Sequence, residues 1–296
     1  MMKLLLTGKN GQVGFELQRA LAPLGEIVAV DMAECDLSNP DAIRRLVSET
    51  RPDIIINPAA YTAVDKAETD QDLAYAVNGM APGVLGEEAK KLGALVIHYS
   101  TDYVFDGTKQ GAYSENDAPN PQSIYGKSKL AGEQALLRSA ADHFIFRTSW
   151  VFGAHGNNFA KTMLRLAVDR DTLNVVVDQF GAPTSAALLA DITAHVIARY
   201  QREGRAAQPF GIYHLVASSL TTWHDYAQTV VRAAIAAGKP LKLSPENIKA
   251  ITTAEYPLPA PRPTNSHLDT CKLQETFGLI LPPWQNGLNH VLQQIL

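Results

Sequence analysis

The chain has 296 residues, of which 46% are hydrophobic and 19% charged, so it can bury a substantial core in one large domain or two small ones. Its 26 basic and 30 acidic residues give a net charge of -4 with both signs dispersed, which argues against nucleic acid and anionic membranes as partners. The only cysteines, Cys35 and Cys271, form no disulfide framework, and no apolar stretch suits a signal peptide or a membrane span, so we expect a cytoplasmic protein.

Short apolar runs alternate with longer amphipathic stretches through the first half of the chain. The runs predict strands near Lys3–Thr7, Ile27–Asp31, Asp53–Asn57, Ala94–Ser100 and Phe144–Thr148. The stretches have apolar residues three and four apart and predict helices near Gly11–Ala22, Asp41–Thr50, Gln71–Leu92 and Ser123–Ala140. This alternation predicts an α/β fold with a Rossmann-like, doubly wound parallel sheet that binds ligands at the carboxyl ends of its strands.

The alternation loosens after Trp150. The second half predicts a helix after Gly156-Asn157-Asn158, then a strand at Val175–Val177, a helix near Ser185–Tyr200, a strand at Ile212–Leu215 that could return to the main sheet, and helices near Thr222–Ala237 and Asn286–Leu296. Proline density favours an extended path for residues 257–263. We therefore expect a Rossmann-like domain over residues 1–150, joined by 178–215, and a smaller discontinuous cap that binds substrate and comprises 151–177 and 216–296.

Three regularly spaced glycines lie between the first predicted strand and the first predicted helix, in the segment Gly8-Lys9-Asn10-Gly11-Gln12-Val13-Gly14. Small residues let the backbone approach a pyrophosphate, and the helix N-terminus supplies free N–H groups. The spacing differs from the Gly-x-Gly-x-x-Gly of most dehydrogenases, and a glycine triplet alone is also typical of a turn. Its position between a strand and a helix favours a dinucleotide site.

Acidic and small residues follow the next two strands. Asp31 lies about twenty residues past the glycines, where a carboxylate can accept hydrogen bonds from an adenosine ribose. This favours NADH, since a 2′-phosphate would meet a negative charge, but a solvated turn aspartate explains Asp31 equally well. Other residues that could contact the cofactor are Asp36 and Leu37, near the adenine, and Ala60, Tyr61 and Thr62.

Tyr125 and Lys129 are four residues apart in a predicted helix, so both side chains can face the same space. Such a pair is as often a surface contact, but Thr101 and Asp102 follow a strand at the edge where active-site groups are expected. Hydride reduction of a ketone requires a proton donor, and a nearby ammonium favours the ionised form of a phenol whose pKa is about 10. We therefore expect Tyr125 to be the acid, Lys129 to lower its pKa and hold the nicotinamide ribose, and Thr101 to bind the substrate oxygen.

Taken together, these motifs resemble the extended short-chain dehydrogenases/reductases, and the closer match is to the dTDP-4-dehydrorhamnose reductase family. The resemblance extends along most of the chain through the segments Gly8–Gly14, His98–Phe105, Tyr125–Glu133, Arg147–Val151, Gly156–Ala160 and Asp178–Thr184, and through Arg262-Pro263 with Asn265-Ser266.

This resemblance implies reduction of the C4 ketone of dTDP-4-dehydro-β-L-rhamnose to dTDP-L-rhamnose, the last step of dTDP-rhamnose synthesis, with NADPH or NADH. It also implies that Tyr125 donates the proton, that Gly11, Gln12, Val13 and Lys129 contact the cofactor, and that the sugar nucleotide lies against Thr101, Asp102, Trp150 and Asn158. Cofactor preference stays open, because acceptance of NADPH by the family conflicts with Asp31.

Three residues have alternative interpretations. Trp150 fits a buried core as well as a pocket until the resemblance is considered. Either Arg262 or Lys161 could meet the substrate diphosphate, because a buried anion needs a paired cation.

Two other functions remain open at this stage. A nucleotide-sugar epimerase that keeps its NAD bound would share the Tyr-x-x-x-Lys step, and a non-catalytic regulatory subunit like that of methionine adenosyltransferase would share the fold. A dehydratase is disfavoured because Asp102 is followed by Tyr103, whereas elimination of water uses an Asp-Glu pair. A nucleotide sugar is the expected small-molecule partner, and a homodimer is possible.

A metal site is not expected. Some members of the family hold magnesium at a subunit contact, partly through a Glu like Glu16 and through acids in the helix after a Pro-Thr step. Here Pro183-Thr184 is followed by Ser185-Ala186-Ala187, and only Asp191 remains nearby. Hard divalent cations need several oxygen ligands, so Glu16 and Asp191 are weak candidates.

Overall fold

A six-stranded parallel sheet forms the centre of the protein, and the computed structural model describes all residues from Met1 to Leu296. The strands of the chain are β1 (Lys3–Leu6), β2 (Glu26–Ala29), β3 (Ile54–Asn57), β4 (Leu95–Thr101), β5 (His143–Thr148), β6 (Val151–Phe152), β7 (Leu173–Val176), β8 (Phe180–Gly181), β9 (Thr184–Ser185), β10 (Gly211–His214), β11 (Thr221–Thr222) and β12 (Ile248–Ile251). The central sheet has the order β10-β5-β4-β3-β1-β2. The predicted doubly wound sheet is therefore confirmed, and so is the return of the strand near Ile212.

The helices are α1 (Gln12–Leu21), α2 (Pro40–Thr50), α3 (Val64–Ala67), α4 (Gln71–Ala74), α5 (Ala81–Leu92), α6 (Ile124–Arg138), α7 (Phe159–Asp169), α8 (Ala186–Glu203), α9 (Trp223–Ala236), α10 (Cys271–Phe277) and α11 (Trp284–Ile295). A π-helical turn at Tyr75–Met80 joins α4 to α5, so the predicted helix over 71–92 is continuous but irregular in its middle.

No helix combines the length and the apolar character that crossing a bilayer requires.

The central sheet is buried on both faces, because alternate residues of each strand point to opposite sides. In β1, Leu4 and Leu6 contribute to the core beneath α1, α8 and α10, whereas Leu5 contributes to the core beneath α2, α5 and α6. This explains why the strands have continuous apolar sequences. Helices on both faces leave the carboxyl ends of the strands as the accessible edge.

A separate apolar core holds the second layer of the protein together. It combines residues of α7, α9 and α11 with Val175 of β7 and Ile248 of β12, two strands that pair in parallel. The short strand β12 and the helix α10 have no clear sequence signal and are absent from the predicted elements. Leu273 and Phe277 of α10 pack in the core of the main sheet, although residues 216–296 are assigned to the cap from the sequence.

Candidate active site

The turns after β1 and β3 meet at the point where the strand order reverses, where doubly wound sheets form a ligand crevice. Thr7 at the end of β1 donates a hydrogen bond to Asn57 Oδ1 at the end of β3, at 2.6 Å. Gly8 has a φ of 62°, a conformation that favours glycine, and a Cβ there would lie 3.0 Å from Ala59. A Cβ at Gly14 would overlap the Gly8 carbonyl oxygen. Both glycines are therefore required by the close packing of this turn.

A cavity of about 230 Å³ lies beside the glycine-rich turn. It is lined by Gly8, Asp31, Asp36, Leu37, Ala60 and Tyr61, all predicted cofactor residues, together with Thr7, Val30, Met32, Cys35, Ala59, Leu73 and Val77. Thr62 is exposed in the adjoining loop and is not among the lining residues. The N-terminus of α1 has no side-chain cap, so its N–H groups remain available to an anion. These residues fit the adenosine and pyrophosphate parts of a dinucleotide.

The carboxylates of this cavity also stabilise its walls. Asp31 Oδ2 accepts a hydrogen bond from the backbone N–H of Asn10 in the glycine-rich turn, at 2.9 Å. Asp36 Oδ1 accepts hydrogen bonds from the backbone and the hydroxyl of Ser38, which lower the pKa of Asp36. Both side chains are thus oriented before any ligand arrives.

Asn78, in the π-helical turn, is not among the residues predicted from the sequence to form the site. Its Oδ1 accepts from the Tyr61 backbone N–H at 2.8 Å, and its Nδ2 donates to the Tyr61 carbonyl at 3.0 Å and to Ser128 Oγ at 3.1 Å. Asn78 is buried and joins the loop after β3 to helix α6. A single Asn in a helical sequence gives no signal of this role, because the contacts depend on the tertiary fold.

Tyr125 lies in the first turn of α6, next to the end of β4. The helix start is fixed by Ser123 Oγ, which accepts from the Gly126 backbone N–H at 3.1 Å. Burial raises the pKa of Tyr125 to about 12, a hydrogen bond with Thr101 lowers it, and the charge of Asp102 raises it. Thr101 also donates to Asp102 Oδ1 at 3.0 Å. The structure thus brings Tyr125, Thr101 and Asp102 together.

Lys129 differs from the expectation in one respect. Its Nζ donates to the Tyr99 carbonyl at 2.6 Å and lies 3.4 Å from His98 Nε2, and it has no resolved effect on the pKa of Tyr125. Burial lowers the pKa of Lys129 to about 8, against a raising effect of Glu133. Burial is the largest influence on the pKa of Tyr125, and Lys129 is not among the groups that shift it, so the predicted lowering of that pKa by Lys129 is wrong.

A buried ion pair fixes α6 relative to β5. Arg147 donates to both carboxylate oxygens of Glu133, at 2.9 and 2.6 Å. The two side chains are 3% and 1% exposed, so removing either would leave a buried charge unpaired. This pair holds the helix that carries Tyr125 and Lys129 against the sheet.

A second cavity, of about 610 Å³, lies mainly among the cap residues and reaches Tyr103, which follows β4. Its walls are mostly apolar and include Phe159, Met163, Leu166, Leu173, Val175, Trp223 and Leu258. The residues with polar groups are Tyr103, Thr162, Asn174, Gln179, Thr253, Tyr256 and Arg262. A large apolar cavity with a few polar groups is typical of a small-molecule site. Tyr103 lies between this cavity and Tyr125, since its ring meets that of Tyr125 edge-on at 5.4 Å.

The other predicted substrate residues contribute indirectly. Trp150 stacks on Trp223 at 3.7 Å and is not a lining residue itself, so Trp223 presents the aromatic surface that was expected of Trp150. Asn158 caps α7 and donates to Gln12 Oε1 at 3.0 Å, which joins the cap to the glycine-rich turn. Of the two candidate cations, Arg262 lines the cavity, whereas Lys161 donates to the Ala154 carbonyl.

Glu16 and Asp191, the two weak candidates for a metal site, both pair with Arg19. Arg19 donates to Glu16 at 3.1 Å and to Asp191 at 2.9 Å. No group of three or more His, Cys, Asp or Glu side chains is arranged to hold a metal ion. Two carboxylates already paired with a guanidinium do not fit the oxygen-rich shell of magnesium.

The parallel sheet, the glycine-rich turn at its switch point and the Tyr-x-x-x-Lys step beside β4 define an extended short-chain dehydrogenase/reductase. Residues 2–296 match the model of the RmlD substrate binding domain family, and the chain belongs to that family.

Relatives and solved structures agree with this assignment. The dTDP-4-dehydrorhamnose reductase of Escherichia coli K12 is 52% identical over 99% of this chain and 98% of that protein. The crystal structure of a dTDP-4-dehydrorhamnose reductase from Clostridium acetobutylicum superposes with a TM-score of 0.90 at 38% identity, covering 99% of both chains. The crystal structure of the enzyme of the same name from Bacillus anthracis, in complex with NADP, also superposes with a TM-score of 0.90. The identity is 35%, and the match covers 99% of this chain and 100% of that one.

Proposed function

We propose that this chain reduces the C4 ketone of dTDP-4-dehydro-β-L-rhamnose to dTDP-L-rhamnose, with NADPH or NADH as the reductant. The observation that carries the proposal is its full-length similarity to the E. coli reductase. The position of Tyr125 next to Thr101, which affects the pKa of the phenol, supports it, because carbonyl reduction requires a proton donor beside the substrate oxygen.

Each predicted site residue has a proposed part. The glycine-rich turn, with Gly8, Gly11, Gln12, Val13 and Gly14, would hold the pyrophosphate, and Asp31, Asp36, Leu37, Ala60, Tyr61 and Thr62 would surround the adenosine. When bound, the reduced nicotinamide supplies the hydride. Tyr125 donates its proton to the substrate oxygen, Thr101 orients that oxygen, and Lys129 holds the ribose. Asp102, Trp150 and Asn158 support the sugar nucleotide site.

The rival functions predict different behaviour of the purified protein. An epimerase returns the hydride to its substrate, so its NAD would copurify and survive dialysis. A regulatory subunit would form a stable complex with a partner enzyme and oxidise no cofactor. Neither rival is favoured by a specific contact in the structure.

The proposal is tested by following the absorbance of NADPH or NADH with a panel of dTDP-, UDP- and GDP-linked 4-keto sugars. We expect stoichiometric oxidation of the cofactor with the dTDP-linked 4-keto-6-deoxy sugar. Lack of turnover with every dTDP-linked 4-keto sugar would overturn the proposal.

We further propose that the chain acts in the cytoplasm, forms a homodimer and binds no nucleic acid. Free thiols at Cys35 and Cys271 and the net charge of -4 support the first and last of these. The division into a Rossmann domain over 1–150 with 178–215 and a cap over 151–177 with 216–296 is also a proposal, with α10 better grouped with the sheet that it contacts. Sedimentation analysis and cell fractionation would test the assembly and the location.

A further inference from the structure

Arg262 lines the large cavity and has one hydrogen-bond donor without a partner. Its Nη2 donates to Asp65 Oδ2 at 2.7 Å, whereas its Nη1 is buried without any partner. A guanidinium presents a planar fork of N–H groups that matches the oxygens of phosphates. Because a buried donor without a partner is costly, Arg262 is suited to an anionic ligand in the cavity that it lines.

Asp65 holds the cap segment that carries this arginine. It lies on α3, which follows β3 on the dinucleotide side of the cleft, and its Oδ1 accepts from the Ala260 backbone N–H at 3.2 Å. The Asp65 carboxylate therefore contacts both the backbone N–H of Ala260 and the guanidinium of Arg262. The Asp65 side chain is 40% exposed and that of Arg262 only 16%, so the pair orients Arg262 more than it stabilises the fold.

Tyr103 lies between Arg262 and the proposed proton donor. The guanidinium carbon of Arg262 is 6.0 Å from the Tyr103 ring centroid, and Tyr103 meets Tyr125 edge-on at 5.4 Å. The cation and the phenol are thus separated by one aromatic ring. A nucleotide-linked 4-keto sugar has its diphosphate at C1 and its ketone across one pyranose ring, a spacing that this arrangement accommodates.

We propose that Asp65 is a positioning residue that fixes Arg262 so that its free N–H groups receive the diphosphate of the substrate. The inference rests on the proposed function, which supplies the nucleotide sugar. Asp65 contacts no reacting atom, and it acts through Arg262 and the 260–262 backbone.

The charge of Asp65 gives the proposal a sharp test. A carboxylate near a diphosphate repels it, so a residue without a positioning role would improve diphosphate binding when neutralised. A positioning residue would have the opposite effect, because a free arginine must be ordered when the ligand binds.

The experiment compares binding of thymidine and thymidine diphosphate by calorimetry, without cofactor or turnover. The variants are Asp65→Asn, which keeps an acceptor for Ala260 N–H but not the pairing with Arg262, and Arg262→Ala. Asp72→Asn is the control, since Asp72 is an exposed carboxylate of the same region. A thermal melt of each variant verifies folding.

We expect thymidine diphosphate affinity to fall about 10- to 100-fold in Arg262→Ala and about 5- to 10-fold in Asp65→Asn, with thymidine affinity unchanged in both. Asp65→Glu should recover part of the loss, and Asp72→Asn should behave as the parent. Unchanged or tighter diphosphate binding by Asp65→Asn would overturn the inference, and so would an equal loss for both ligands, which indicates a purely structural role. If the parent protein does not bind thymidine diphosphate, the proposed function loses its substrate class, and the inference fails with it.

Discussion

Tyr125 is held in its protonated form at neutral pH. Burial raises its pKa to about 12, and the contact with Thr101 offsets only part of that effect. A phenol in this state has a proton to donate, although the high pKa makes it a reluctant donor until negative charge develops on the substrate oxygen.

Replacing Tyr125 by Phe should lower the rate of the chemical step by roughly 10²–10⁴-fold, the usual scale for an acid catalyst. Cofactor affinity should be nearly unchanged, because the ring and its contact with Tyr103 remain. Single-turnover absorbance and cofactor titration measure the two quantities. Near-parental turnover with chemistry rate-limiting would mean that another group donates the proton.

Lys129→Ala should impair both turnover and cofactor binding, in contrast to Tyr125→Phe. The ammonium donates to the Tyr99 carbonyl and is fully buried, so its removal leaves that acceptor unpaired and withdraws the proposed ribose contact. We expect a rise in the cofactor Kd of about tenfold or more, measured by fluorescence titration. An unchanged Kd would assign Lys129 a structural role only.

Asp102 should make stability depend on pH. Burial raises its pKa to about 6 from a usual value of 3.8, so the stability that the neutral form contributes is present below about pH 4 and is lost as pH rises through 6. Asp102→Asn mimics the neutral carboxyl and should be more stable than the parent at pH 7 by about 1–3 kcal/mol. Urea unfolding at pH 4 and pH 7 checks this, and a difference that does not shrink at pH 4 would contradict it.

At the scale of elements, the π-helical turn at Tyr75–Met80 brings Asn78 to the loop after β3. The three hydrogen bonds of Asn78 hold the Tyr61 backbone against α6, so this irregular element positions the wall of the smaller cavity. A functional role for such a turn is common, since it breaks the regular helical ladder.

Asn78→Ala should destabilise the protein by about 1–3 kcal/mol, because the Tyr61 backbone groups lose their partner. Cofactor affinity should fall as well, since Tyr61 lines the smaller cavity, which is the proposed adenosine site. Asn78→Asp keeps the acceptor for the Tyr61 N–H and serves as the matched comparison. Loss of stability with full cofactor affinity would show that Asn78 has no role in cofactor binding.

The main sheet and its helices could be predicted because their signals are local. Alternating apolar runs and amphipathic stretches located β1 to β5 within a few residues of their ends. By contrast, β12 pairs with β7 across a long sequence separation and has no strong pattern of its own. The π-helical turn was missed for a different reason, because its apolar periodicity continues that of the flanking helices.

The site residues divide in the same way. Their spacing and the adjacent strands and helices identify the glycines, Tyr125 and Thr101 as candidate site residues. They do not identify Trp223, Asn78 or Asp65, because these residues are singled out only by contacts with residues far away in the sequence. The direction of the Tyr125 pKa was also missed, since spacing gives proximity to Lys129 but not the balance between charge and desolvation.

At the scale of the whole molecule, the cap and the sheet meet over the active site through a few polar contacts. Gln12 of α1 pairs with Asn158, and His155 lies 2.9 Å from the Asn10 carbonyl and stacks on Phe15 at 4.2 Å. Asp65 and Arg262 form the contact on the other side of the cleft. These contacts join the cap residues to the glycine-rich turn and to α3.

The central claim, that this chain moves hydride to a sugar carbon while Tyr125 protonates the attached oxygen, is tested most directly with a deuterium label. The enzyme is given NADPH carrying deuterium at the transferable position of the nicotinamide, together with the dTDP-linked 4-keto sugar, and the product is examined by NMR. We predict one deuterium at C4 of the sugar for each cofactor oxidised, and a much slower transfer in Tyr125→Phe. A product without deuterium at C4, or label retained by a cofactor that stays bound, would contradict the account.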